Sequence, residues 1–344
     1  MKKSIIILAT LFLVVSVIPN IVFATGVDEH NVTLAEIQNM LLEYFEESSI
    51  TYEPGTDAYY NYILDQLLNH SDQELIKDSN YALIHAYMVE YKNTYEEYLI
   101  CVTCQYNEQI VNAITAENAC ITIDDESRTV QFSLAEDFLT QTIDDLKERN
   151  AKMISEQRNG SNRSVSYVYN GSSAAEYAMA YADQESYNTN YPDYRNSGGD
   201  CTNFISQCIL AGGIGMNGSN SSIGIHSSTT EWYCTYISTG IFGNRRYSVS
   251  TSWIRVSDFN TYMTSVVNNK SIITTLTALH SASKIGDVVQ LADKTTGTPY
   301  HSIIISGKDS STSYFSGHSN SRNNEDIMTY LDESSDLFIL FDFA

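Results

Sequence analysis

The chain is short of basic residues. Its 344 residues include 19 Lys and Arg against 42 Asp and Glu, for a formal net charge of −23 and a pI near 4.5. A polyanion gains affinity by trading counterions for Lys and Arg, so nucleic acid is excluded as a partner. Adhesion to anionic lipid is disfavoured for the same reason. Cysteine is also scarce: six residues are too few for a disulfide scaffold in a chain of this size. Cys101-x-x-Cys104 resembles half of a zinc or redox site, but no second pair or His cluster accompanies it, and no metal or cofactor is expected. Beyond the first 24 residues no apolar run is long enough to span a bilayer. Hydrophobic residues, at 43%, with 25 Tyr and 12 Phe, are abundant enough to exclude intrinsic disorder. The length suggests about two domains, at roughly 150 residues each.

The N-terminus carries an export signal. Met1-Lys2-Lys3 is followed by an apolar run from Ile5 to Ile18, Pro19 breaks it, and Val22-Phe23-Ala24 supplies a cleavage site. The run falls short of the ~20 residues a membrane anchor needs. Residues 1–24 therefore read as a signal peptide, and the mature chain is expected to be secreted or wall-associated, free of the membrane and with a charge of −25.

Residues 27–157 read as an acidic α+β domain, 158–166 as a polar linker (Arg158 to Ser164 lacks any apolar side chain), and 167–344 as a second α+β domain. Residues 27–160 hold 26 acidic and 7 basic side chains; residues 161–344 hold 16 and 10. In the first part Thr33-x-x-Glu36 is a capping box, after which Leu34, Ile37, Leu41, Tyr44 and Phe45 recur at helical spacing. Tyr60, Ile63, Leu64, Leu67 and Leu68 mark a second helix, and Tyr81, Ile84, Tyr87, Met88 and Tyr91 a third. Strands are expected at Tyr98–Gln105, Ala119–Ile123 and Arg128–Phe132. In such a strand Cys101 and Cys104 would face opposite sides, which argues for small core residues and against a disulfide. Ser133-x-x-Glu136 opens another helix, with Phe138, Leu139, Ile143 and Leu146 on one face.

The chemistry is concentrated in Gly198-Gly199-Asp200-Cys201-Thr202-Asn203-Phe204-Ile205-Ser206-Gln207-Cys208. Two glycines allow a sharp turn, Asp200 is a good N-cap, and Gly212-Gly213 ends the helix. Phe204, Ile205, Cys208 and Ile209 form the apolar face, which makes Cys208 structural and leaves Cys201 at the first turn, outside the buried stripe. A helix N-terminus with a nearby His favours a thiolate there. Of the seven His, His30, His70 and His85 belong to the first part, and His226 and His280 to loop or helical contexts. His301 begins the strand His301–Ser306, after a strand entered from Lys284-Ile285-Gly286-Asp287. His318 ends the strand Thr312–His318, beyond a turn at Gly307–Ser311. A hairpin symmetric about Asp309/Ser310 would set His301 opposite His318 on one face, where one imidazole takes the thiol proton and the other orients it. A one-residue slip or a bulge would undo that pairing.

These residues resemble the family of secreted amidase domains of Gram-positive bacteria. The resemblance rests on the Gly-Gly-Asp-Cys-Thr-Asn-Phe-Ile-Ser-Gln block at 198–207, Ala211-Gly212-Gly213, the Ala- and Tyr-rich stretch Ala174–Asp183, Trp232, Ser252-Trp253, Val256-Ser257-Asp258-Phe259 and His301-Ser302. It covers roughly 165–344 and implies a papain-like layout, similar to NlpC-type and CHAP-type cell-wall hydrolases, with a Cys-bearing helix packed on an antiparallel sheet. It implies Cys201 as nucleophile, His301 as base and His318 as orienter, with Asn320 an alternative orienter and Tyr191 an oxyanion donor beside the Cys201 N–H. The implied activity is hydrolysis of an amide in peptidoglycan or a wall peptide. A non-catalytic surface-binding module and a peptidase that processes a secreted peptide are the alternatives. The chain shows no wall-binding repeat, and its sequence does not reveal its oligomeric state.

Overall fold

A computed structural model describes residues 31–104, 118–123, 130–159, 168–195, 198–240, 243–267 and 269–343. The expected signal peptide and most of the expected linker lie outside these residues. Along the chain come α1 (Leu34–Glu47), α2 (Asp57–Asn69) and α3 (Tyr81–Cys104). The hairpin β1 (Ala119–Ile123) and β2 (Val130–Leu134) follows, then α4 (Glu136–Leu139), α5 (Ile143–Asn159), α6 (Gly171–Tyr181) and α7 (Asp200–Ala211). After these run β3 (Gly224–His226), β4 (Cys234–Thr239), β5 (Arg245–Ser250), α8 (Thr251–Ile254), α9 (Val256–Val266), β6 (Asn269–Ile273) and α10 (Leu276–Ala282). The last elements are β7 (Val288–Asp293), β8 (Pro299–Lys308), β9 (Ser313–Gly317), β10 (Arg322–Asp326), α11 (Ile327–Tyr330) and β11 (Asp336–Asp342). This is a mixed α+β fold, as expected.

Local signals act where they were legible. Thr33 and Glu36 close the capping box reciprocally and α1 buries Leu34, Ile37, Leu41 and Phe45. Two expectations are corrected. Tyr98 to Cys104 is not a strand: it continues α3, because the buried stripe that starts at Tyr81 runs on through Tyr95, Tyr98 and Ile100. The facing argument for Cys101 and Cys104 therefore lapses, and their side chains lie outside the described residues. Ser133 lies in β2, and the helix beyond it is two helices. A break at Thr140–Thr142 separates them, where Thr142 and Asp145 form their own reciprocal cap.

Six antiparallel strands form the central sheet in the order β10-β9-β8-β7-β11-β6. Its inner strands β7 and β8 are buried almost throughout, with apolar runs such as Ile303-Ile304-Ile305, because both faces are covered. Alternate residues then serve two cores. Val289, Leu291, Ile303, Ile305 and Phe315 pack against α1 to α3, in a cluster with Tyr59, Tyr87 and Tyr91. Val288, Ala292 and Ile304 pack on the other face with Phe204, Ile205 and Cys208 of α7 and with Trp232 and Trp253. The acidic first half of the chain thus supplies α1 to α3 to one cover of the sheet that carries His301, joined there by Leu276, Leu279 and Ile327.

Candidate active site

The Cys201 turn is made by backbone geometry. Gly198 (φ +72°) and Gly199 (φ +79°) occupy the left-handed region open to glycine, and Gly199, not Asp200, is the N-cap. Asp200 is the first helical residue, and its carboxylate accepts from Tyr187 Oη at 3.1 Å. Two tryptophans clamp the helix behind the turn: Trp253 Nε1 donates to Asn203 Oδ1 (3.1 Å) and Trp232 Nε1 to Ser206 Oγ (3.0 Å). A polar relay ties the helix to the sheet through Thr202 Oγ1···Ser302 Oγ (3.2 Å), Gln290 Nε2 to Ser302 Oγ (3.1 Å) and Asn260 Nδ2 to Gln290 Oε1 (2.6 Å). Buried groups so fully paired hold β8 at one distance from α7.

Cys201 was expected outside the buried stripe; it is 1% exposed. Its Sγ lies 3.7 Å from Thr202 Oγ1 and accepts from the backbone N–H of Ser302, the residue after His301. Burial raises its thiol pKa, the Lys92 ammonium opposes this, and Glu96 adds to it. Cys208 sits in the apolar cluster, and burial pushes its thiol well up. Among the described residues Cys201, Cys208 and Cys234 are free thiols.

His301 and His318 are not side by side. Ile304 pairs with Ser316 and Ile305 with Phe315, and Ser306 bulges out before Gly307 pairs with Tyr314. That extra residue shifts the register by one, so its continuation sets His318 opposite Ser302, and the two imidazoles take opposite faces of the sheet. His318 stands on the α7 face: stacked on Phe204 at 3.9 Å, its Nε2 bonded to Tyr181 O (2.8 Å) and its Nδ1 3.1 Å from Asp200 Oδ2. It braces the start of α7.

His301 stands on the other face, opposite Leu291, and a Cβ on Gly317 would lie 3.8 Å from its Nε2. A second bulge, at Tyr300, precedes it. His301 is 4% exposed, its Nδ1 has no hydrogen-bond partner, and burial followed by the Lys92 and Arg322 charges lowers its pKa to about 3. It lines a small cavity with Leu68, His70, Asn320 and Arg322. Asn320 shares this cavity, but its amide is taken by Asn69 Oδ1 at the end of α2. Tyr191 stacks on Trp253 at 6.2 Å. No hydrogen bond among the described residues joins Cys201 Sγ to either imidazole.

Three residues at the site come from the first half of the chain and escaped motif reading. Lys92 Nζ donates to Tyr300 O (2.6 Å) and to Glu96 Oε2 (2.8 Å), and Tyr60 Oη donates to Glu96 Oε1 (3.0 Å). The one available signal was a lone Lys four residues before a Glu on a Tyr-rich helix. Among the described residues no group of three or more His, Cys, Asp or Glu is placed to hold a metal.

Neither a curated protein nor a solved structure matches the chain. A family model described as "Putative amidase domain" matches residues 168–340, half of the chain, taking in α6, α7 and the six-stranded sheet and leaving out α1 to α5. With Cys201, His301, His318 and Asn320 all inside the matched span, the chain belongs to that amidase family.

Proposed function

We propose that the chain is an exported cysteine amidase or endopeptidase that hydrolyses an amide bond of peptidoglycan or of a wall peptide. The observation that carries this reading is Cys201 Sγ at the N-terminus of α7, held by the Ser302 N–H next to His301. The export signal and the family resemblance support the substrate class. In the reaction His301 takes the Sγ proton, and the thiolate attacks the amide carbon. The oxyanion forms at the Cys201 N–H, and the C–N bond breaks as His301 protonates the departing amine. Water, deprotonated by His301, then hydrolyses the acyl-thioester and restores the thiol. Asn320, in the His301 cavity, orients the imidazole once its amide leaves Asn69 and its Oδ1 accepts from the unpartnered Nδ1, a role that His318 does not reach from the opposite face.

The test is incubation with purified peptidoglycan under reducing conditions, with mass spectrometry of the released fragments. The unaltered chain should generate new amine and carboxyl ends that Cys201→Ala does not. The same comparison is made in a chain carrying Asn93→Ala and Glu97→Ala, which loosens the cover over Cys201. Identical profiles in both backgrounds would sink the proposal.

A further inference from the structure

The nucleophile is covered by the chain's own helix. α3 has 24 residues, about 36 Å of helix. Up to Tyr91 it covers the sheet; from Lys92 to Ile100 it continues over the Cys201 turn. The approach is close: a Cβ on Gly198 would stand 2.8 Å from the Glu96 carbonyl oxygen, and one on Gly199 would stand 3.4 Å from Ile100 Cδ1. Lys92 bonds Tyr300 O, Asn93 Nδ2 bonds Pro299 O (3.0 Å), and Glu97 pairs with Arg255. A narrow cavity remains along this seam, lined by Asn93, Glu96, Glu97, Gly199 and Arg255, and Cys201 does not line it. On the far side α2 holds Asn320 and Arg322 through Asn69.

The groups beneath α3 have a definite chemistry. Two carbonyls at the start of β8 accept from donors, and one guanidinium donates to a carboxylate. We infer that this covered surface is a peptide-binding cleft beside Cys201. It takes a chain that presents N–H donors to Pro299 O and Tyr300 O and a carboxylate to Arg255, and the Lys92–Ile100 part of α3 occupies it as a latch. Calling the occupant a substrate rests on the amidase reading; the latch rests on geometry alone. The described state is the latent one, and opening moves the second half of α3, drawing Tyr95, Tyr98 and Ile100 out of their cores while the first half stays as the cover of the sheet.

The test uses the full chain and iodoacetamide, with Cys201 and Cys208 followed separately by peptide mapping. Asn93→Ala with Glu97→Ala should speed Cys201 alkylation by about tenfold or more, as expected for a local opening, while Cys208 stays protected. In that background the peptide Ala-Glu-Ala-Ala-amide should slow the labelling, Ala-Gln-Ala-Ala-amide should not, and Arg255→Gln should abolish the difference. Equal Cys201 rates with and without the two substitutions would overturn the latch, and so would joint labelling of Cys201 and Cys208. Faster labelling without selective protection would overturn the cleft. Labelling and protection without amide hydrolysis would leave the latch and cleft standing and remove the amidase reading.

Discussion

The two faces of the six-stranded sheet are both buried, yet they are built from different materials. The α7 face is sealed by tryptophan and by short hydroxyl and amide side chains: Thr202, Ser206, Gln290 and Ser302 pair almost without remainder. The opposite face is sealed by tyrosines and by buried charge. His85 Nδ1 lies 2.8 Å from Asp293, and Asp336 receives the Tyr300 hydroxyl at 3.0 Å. The family match covers the first cover and the sheet, whereas the second cover carries most of the acidity. A site on a shared sheet is therefore answerable to both covers: α7 supplies the nucleophile, and α2 and α3 decide whether anything reaches it.

Replacing each histidine breaks this comparison most sharply. His301→Ala should abolish hydrolysis, by about a thousandfold or more, with a small change in melting temperature. His318→Ala should do the reverse, lowering stability by about 1–3 kcal/mol through the orphaned Asp200 carboxylate and Tyr181 carbonyl. Urea melts and turnover on both variants check this; a stable, inactive His318→Ala chain would refute the bracing role. On the α7 face, Phe204→Ala should cost about 3–5 kcal/mol because it opens a cavity beneath His318.

Solution pH distinguishes the faces next. Burial pushes the Asp336 carboxyl up to about 8, against the pull of His85, whose own pKa is raised by the hydrogen bond and charge of Asp293 in spite of burial. The folded chain thus keeps protons that the unfolded chain releases, so stability falls as pH rises toward about 8. His70 and His301 are lowered by burial and act the opposite way, but only below about 6.5, where unfolded imidazoles titrate. Between pH 6.5 and 8 the melting temperature should therefore drop, and Asp336→Asn should flatten the drop; an unchanged slope would assign it elsewhere. Last, Thr33→Ala removes the α1 capping box, far from the site, and should cost about 1 kcal/mol with no effect on Cys201 alkylation.

Legibility followed interaction range. The capping box, the Gly-Gly turn before Cys201, the β1 span and the strand and turn order around His301 were readable because neighbours within a few residues decide them. The His301–His318 pairing was within one residue of being right. A single bulged Ser306 shifted it, and with a period of two a shift of one residue exchanges the faces. Nothing near Ser306 in sequence announces the bulge, since a bulge is settled across strands. The length of α3 was misread for a related reason: a Tyr-rich stretch suits a strand locally, and the buried stripe begun at Tyr81 carries the helix on through Tyr95, Tyr98 and Ile100.

By itself the sequence determined the acidity, the family resemblance and the choice of Cys201 as the reactive candidate, and it raised the expectation of export; all rest on composition or on short contiguous blocks. Only the tertiary structure decided which face each histidine takes, that Lys92, Glu96 and Tyr60 stand at the thiol, and that the thiol is covered. The histidine faces turn on a bulge settled between neighbouring strands, and the cover over the thiol on residues about a hundred positions or more apart; neither leaves a mark in any local pattern.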